Sequence, residues 1–202
     1  MIDRRSSTRS PSREIVEVMR AAYLRGLTQA RGGNASILDE SLGLVYITPR
    51  SAPKFLLTET SISLVSLDGR ILWGSPSSEL SLHLEVYRRV GEARAVLHLH
   101  PPMTLAVSEL GLEIELEALS EASYAINCVA RIPYIKPATR DLAEAVASVL
   151  EKTGCNTAVL EKHGVVAYSR RDLYEALDMI EALEDLSRIM LVRELSKKRL
   201  VR

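Results

Sequence analysis

Ile62-Ser63-Leu64-Val65-Ser66-Leu67-Asp68-Gly69-Arg70-Ile71-Leu72-Trp73 holds two apolar runs around Asp68-Gly69. That dipeptide favours a tight type I′ turn, whose twist suits two antiparallel strands, so the stretch predicts a β-hairpin. A second hairpin is expected upstream, where residues 35–38 and 44–48 flank the polar turn Asp39-Glu40-Ser41. Further short strands are expected at 95–99, 114–116, 157–160 and 165–168. Ile15, Val18, Met19, Ala22 and Tyr23 follow helical spacing, which predicts a helix from an N-cap at Ser12 to near Gly26. Other helices are expected at 78–90, with Glu79 in its first turn, and at 101–110, 141–150 and 172–195. Hairpins and helices mix without regular strand-helix alternation. The fold class read from this order is α/β, with a mixed, mainly antiparallel sheet covered by helices.

The chain has 202 residues, 47% apolar, with 26 basic and 26 acidic side chains, which fits one globular domain over 12–202. The Arg- and Ser-rich residues 1–11 read as a flexible N-terminal arm. A net charge of zero offers no global field for phosphate backbones or anionic lipid, so nucleic acid and membranes are poor candidate partners. Every apolar stretch is interrupted before the roughly 20 residues that a membrane span requires, and the start lacks the apolar core of a secretory signal. Cys128 and Cys155 are too few for a disulfide framework and read as small buried apolar residues of a reducing interior. These features predict a cytoplasmic protein. A single Phe beside many Arg and Glu residues matches thermophile-like composition.

His98-Leu99-His100 places two imidazoles on one face of the strand expected at 95–99, because side chains alternate there. Both can share one ion. His163 follows the apolar run at 157–160, where polar side chains emerge at a sheet end; alone it reads as a surface or hydrogen-bonded loop histidine. Three histidines would leave a zinc-type ion an open position for substrate. His83, between Leu82 and Leu84, is read as a hydrogen-bonded core histidine rather than a ligand.

Pro76-Ser77-Ser78-Glu79 precedes a helix, so its hydroxyls and free N–H groups can cap that helix or bind an anion. Near a metal, Glu79 is a candidate base. Gly32-Gly33-Asn34 and Thr48-Pro49-Arg50-Ser51 lie in loops at strand ends, where Arg50 can hold a phosphate or carboxylate by a bidentate pair.

The order Gly-Gly-Asn, Thr-Pro-x-Ser, Pro-Ser-Ser-Glu with a Leu-His-Leu helix, His-x-His-Pro and a late Lys-His-Gly-Val resembles the class II aldolase/adducin family, most of all its fuculose-phosphate aldolase branch. The likeness spans about residues 15–192. It implies a three-layer α/β/α sandwich, a metal held by His98, His100 and His163, Glu79 as catalytic acid/base, and a homotetramer with active sites near subunit interfaces. The metal implied is Zn2+, or another divalent transition metal. Asn34, Ser77 and Ser78 fall on the family's phosphate-binding positions, and Arg50-Ser51 stands where fuculose-phosphate aldolases typically carry Thr-Gly. The family tyrosine that donates a proton in a neighbouring site aligns near Leu119, which leaves Tyr124 and Glu121 as candidate general acids.

The reaction implied is reversible cleavage of a phosphorylated small-molecule sugar, a ketose 1-phosphate, to dihydroxyacetone phosphate and an aldehyde. Dehydration of 5-methylthioribulose 1-phosphate and a non-catalytic, adducin-like assembly role are the alternatives within the resemblance. Acidic residues from Glu109 to Glu121 and a basic tail from Arg188 can meet across a subunit interface or stand as solvated faces.

Overall fold

A computed structural model describes residues 10–199. The expected arm falls outside them, except that Ser10 and Pro11 are seen. Pro11 opens helix α1 (Pro11–Leu24), so the helix begins before Ser12, and the Ser10 side chain makes no capping bond. Proline suits this first turn because its missing N–H would have no helical partner there.

Among the described residues, eight strands form one sheet: β1 (Asn34–Asp39), β2 (Leu44–Ile47), β3 (Ser63–Ser66), β4 (Ile71–Trp73), β5 (Ala95–Leu99), β6 (Val129–Ile132), β7 (Thr157–Leu160) and β8 (Gly164–Ser169). Their order is β4-β3-β2-β1-β5-β8-β7-β6. The β6–β7 pair is parallel and the other pairs are antiparallel. The remaining helices are α2 (Leu80–Arg89), α3 (Pro102–Glu109), α4 (Ser120–Ala125), α5 (Arg140–Thr153) and α6 (Leu173–Arg199).

Strand alternation divides the core in two. Val96, Val166 and Tyr168 face Leu82 and Val86 of α2 and Leu142, Val146 and Leu150 of α5. Leu97, Leu99, Val165 and Ala167 face Ile15 and Met19 of α1 and Ile180 and Leu183 of α6. Helices therefore cover both faces, giving the three-layer α/β/α sandwich. Truncating a side chain such as Leu142 or Leu150 to Ala would cost about 2–5 kcal/mol.

Four local expectations are corrected. At the β3–β4 hairpin, the Gly69 amide donates to the Ser66 carbonyl and Ser66 pairs with Arg70, so Leu67-Asp68-Gly69 forms a three-residue loop instead of a type I′ turn. Gly69 has φ +98°, whereas Asp68 is not in the positive-φ region that I′ requires; its carboxylate instead accepts from Ser66 and Arg70. Residues 114–116 form no strand. Ile114 and Leu116 pack toward the cluster under α6, and a short 3-10 turn follows at Leu116–Ala118. Glu79 stands just before α2, at its N-cap, and is not in its first turn.

The fourth correction concerns the cysteines. Val129 pairs with Thr157 in the parallel β6–β7 ladder, so the residues entering those strands are neighbours, and Cys128 and Cys155 form a disulfide with Cα atoms 4.8 Å apart. They are not free thiols. Arg193 pairs with Glu115 at 2.8 Å inside the chain, so at that position acidic segment and basic tail meet within one protomer. No helix among the described residues is long and apolar enough to cross a membrane.

Candidate active site

β5 delivers His98 on the α2 side of the sheet and His100 just past its end, as alternation requires. The His100 amide donates to the Leu27 carbonyl, and the following helix α3 is capped by buried Glu184, which accepts from the Met103 and Thr104 amides. This fixes where the strand stops. A tight turn with Lys162 at φ +59° swings His163 back beside β5. Gly164 makes the approach possible: a Cβ there would press on the Leu99 carbonyl and stand 2.8 Å from both the His98 and His100 rings.

The three Nε2 atoms converge, with His98 3.1 Å from His100 and 3.3 Å from His163. His98 Nδ1 lies 3.0 Å from the Val165 carbonyl, and His100 Nδ1 lies 2.9 Å from the Gln29 side-chain oxygen. Oxygen acceptors require N–H at both Nδ1 atoms, so both Nε2 lone pairs point into the cluster. Burial lowers the proton affinity of all three rings, His100 to about 4. Neutral lone pairs facing one another at this range suit a cation between them, and the donor set fits a zinc-type ion. His163 Nδ1 is buried without a partner among the described residues.

Glu79 is the adjoining carboxylate. Its Oε1 lies 3.8 Å from His163 Nε2 and accepts from the Ala138 amide at 2.9 Å. Burial raises its pKa from the ordinary glutamate value, and the Ala138 N–H partly offsets that. Ala138 takes φ +59°, an uncommon conformation for alanine, to aim that amide.

A cavity of about 160 Å³ joins these groups to Asn34, Ser51, Ser77 and Ser78. The two loops supplying them are tied together: the Ser77 amide donates to the Thr48 carbonyl and the Arg50 amide to the Ser75 carbonyl. Asn34 is fixed from below. Its Oδ1 lies 2.5 Å from His83 Nε2, His83 Nδ1 lies 2.6 Å from the Ser36 hydroxyl, and Ser36 in turn meets the Tyr87 hydroxyl at 2.7 Å. With Oδ1 accepting, His83 donates from Nε2 and accepts from Ser36 at Nδ1, which turns the Asn34 amide N–H groups toward the cavity. His83 is thus a hydrogen-bonded core residue, its pKa lowered by burial to about 3.

Three expected site residues are not brought to this cavity in the protomer. The Arg50 side chain is exposed and does not line it. Tyr124, 95% exposed, and Glu121 line a separate cleft beside Arg25 and Arg171. Sequence reading in turn missed Lys54, Gln29 and Ala138. Lys54 lines the cavity and is only 2% exposed.

Residues 13–191 match the family model described as the class II aldolase and adducin N-terminal domain. The chain belongs to the class II aldolase family. The chain is 32% identical over 176 residues to an L-fuculose phosphate aldolase of Methanococcus maripaludis, covering 87% of this chain and 93% of that protein. It is 31% identical over 181 residues to a 3-oxo-tetronate 4-phosphate decarboxylase of Haemophilus influenzae, covering 87% and 84%. L-fuculose-1-phosphate aldolase from Thermus thermophilus superposes with a TM-score of 0.80 at 28% identity, covering 93% of this chain and 95% of that one. Class II aldolases are metal-dependent lyases acting on phosphorylated sugars, and this member of the family carries a three-histidine group that can hold a metal.

Proposed function

We propose that this chain reversibly cleaves a ketose 1-phosphate, such as L-fuculose 1-phosphate, to dihydroxyacetone phosphate and an aldehyde such as lactaldehyde, using Zn2+ or another divalent transition metal. The observation that carries the reading is Glu79: a buried carboxylate of raised pKa, 3.8 Å from a histidine of the cluster and open to the cavity lined by Asn34, Ser51, Ser77 and Ser78.

His98, His100 and His163 would hold the metal, which when bound stabilises negative charge developing on substrate oxygens. Asn34, Ser77, Ser78 and Ser51 would hold the phosphate by side-chain donors and the N-terminus of α2, orienting the donor against Glu79. In synthesis Glu79 removes one hydroxymethyl proton of dihydroxyacetone phosphate. The electron pair left on carbon attacks the aldehyde carbon, forming the carbon-carbon bond; in cleavage Glu79 returns the proton. The aldehyde oxygen needs its own proton donor. Exposed Tyr124 and Glu121 could serve a neighbouring subunit's site, which fits a homotetramer.

The test follows loss of one hydroxymethyl proton of dihydroxyacetone phosphate in heavy water by NMR. Metal-loaded protein should exchange it stereospecifically, metal-stripped protein should not, and Glu79→Gln should slow it by about 10²–10⁴-fold while retaining metal. Unaltered exchange in E79Q removes Glu79 from the role. Because relatives of similar identity are named decarboxylases, CO2 release from 3-oxo-tetronate 4-phosphate is measured alongside. No exchange in metal-replete protein would favour that reaction or the dehydratase.

A further inference from the structure

Lys54 opens a short 3-10 turn, Lys54–Leu56, and its amide donates to the Ala30 carbonyl. Its side chain is buried, yet no carboxylate among the described residues pairs with it. Nζ donates to the Ala52 carbonyl at 3.1 Å and to the Arg31 carbonyl at 3.4 Å. Two carbonyl dipoles replace only part of an ammonium's hydration, and a buried cation without a counter-charge is costly to hold. The third N–H is left over. Burial lowers the pKa to about 8, as an environment without compensating negative charge requires.

The surroundings point to the missing anion. Lys54 lines the same cavity as Asn34, Ser51, Ser77 and Ser78, all neutral donors. A phosphate dianion held by these alone would enter the cavity without a buried positive partner. Arg31 also lines the cavity, but its side chain is exposed to water, which screens its charge. The carbonyl that accepts from Lys54 belongs to Arg31, and the next residue, Gly32, abuts the histidine cluster: a Cβ there would stand 2.9 Å from His100 Nδ1.

We propose that the Lys54 ammonium is the charged anchor of the substrate phosphate. The assignment rests on the phosphosugar reading above and names the charge that reading lacked.

The experiment is calorimetric titration of metal-loaded wild type, Lys54→Met and Lys54→Arg with inorganic phosphate, dihydroxyacetone phosphate and unphosphorylated dihydroxyacetone. K54M should weaken phosphate and dihydroxyacetone phosphate by about 10- to 100-fold, the range of a hydrogen bond to a charged group. Dihydroxyacetone affinity and metal content should stay within about threefold, and K54R should recover most of the loss. Phosphate bound by K54M as tightly as by wild type overturns the proposal. So does an equal loss for dihydroxyacetone, which would mark a structural role. If K54M does not fold, the wild-type protein labelled with 15N-lysine decides: the Lys54 ammonium resonance must shift on phosphate addition, and an unmoved resonance overturns the assignment. Should phosphate bind through Lys54 while no ketose phosphate is cleaved, the aldolase reading fails and the anchor stands.

Discussion

Gly164→Ala adds one methyl group at the start of β8, beside the end of β5. Gly164 does not have a positive φ, so the residue is required there for space and not for backbone freedom. The new carbon would stand 2.8 Å from His98 Cε1 and His100 Cδ2, about 0.6 Å inside the 3.4 Å at which ordinary contacts begin, and closer still to the Leu99 carbonyl. The carbonyl belongs to a ladder residue paired with Val165 and cannot swing aside. The rings must therefore retreat by about 0.6 Å, several times the ~0.2 Å spread tolerated in metal-ligand distances. Metal affinity should fall at least about 10- to 100-fold, the scale seen when ligand positioning is disturbed. Overpacking should also cost the metal-free protein about 1–3 kcal/mol, or roughly 2–12 °C in Tm. Competition with a chromogenic chelator measures the first effect and thermal unfolding with chelator present the second. G164A protein that holds zinc within about threefold of wild type and melts unchanged would refute the claim that this glycine makes the cluster possible.

Acidification should unfold the metal-free protein early. His83 and His100 titrate at about 3 and about 4 when folded, below the ordinary 6.5, so their stabilisation is complete above pH 6.5 and is lost as pH falls toward those values. For His83 alone the loss at pH 5 is about 2 kcal/mol, and flat urea midpoints between pH 7.5 and 5 would contradict the burial assigned to it. Opening Cys128–Cys155, which closes a loop across 27 positions, should cost about 3–4 kcal/mol by loop entropy; a Cys155→Ser protein as stable as wild type would rule that out. The exchange rate of dihydroxyacetone phosphate should rise with pH along an acid limb set by Glu79, with its midpoint above 4.5. A midpoint at or below that value would mean the carboxylate is solvated.

Much of this was legible because it depends on short-range periodicity. The His98-Leu99-His100 alternation, the Asp68-Gly69 corner and the helical spacing in α1 each specify local geometry within a few residues. What stayed hidden depends on partners distant in the chain. Val129-Ala130-Arg131-Ile132 is too short and too interrupted to announce strand β6, and without β6 nothing brings Cys128 beside Cys155. Lys54 reads as a surface lysine, since lysine is almost never fully buried; only the folding of the loops around Arg31 and Ala52 encloses it. Ala138 gave no signal because its role is a backbone amide aimed by an unusual φ. Gln29 enters only once Gly32 lets its loop close on His100. Arg50 shows the converse: its residue type suited an anion, and its direction did not.

The Cys128–Cys155 bond bears on how this protein is handled at the bench. A thiol reductant such as dithiothreitol opens that bond and would also compete with the three histidines for a metal held there, so one reagent would attack two separate supports. Activity lost in such a buffer divides into a part restored by adding metal back and a part restored only by reoxidation. A preparation kept in reductant throughout would leave the second part unseen and report a less durable protein than the sequence encodes.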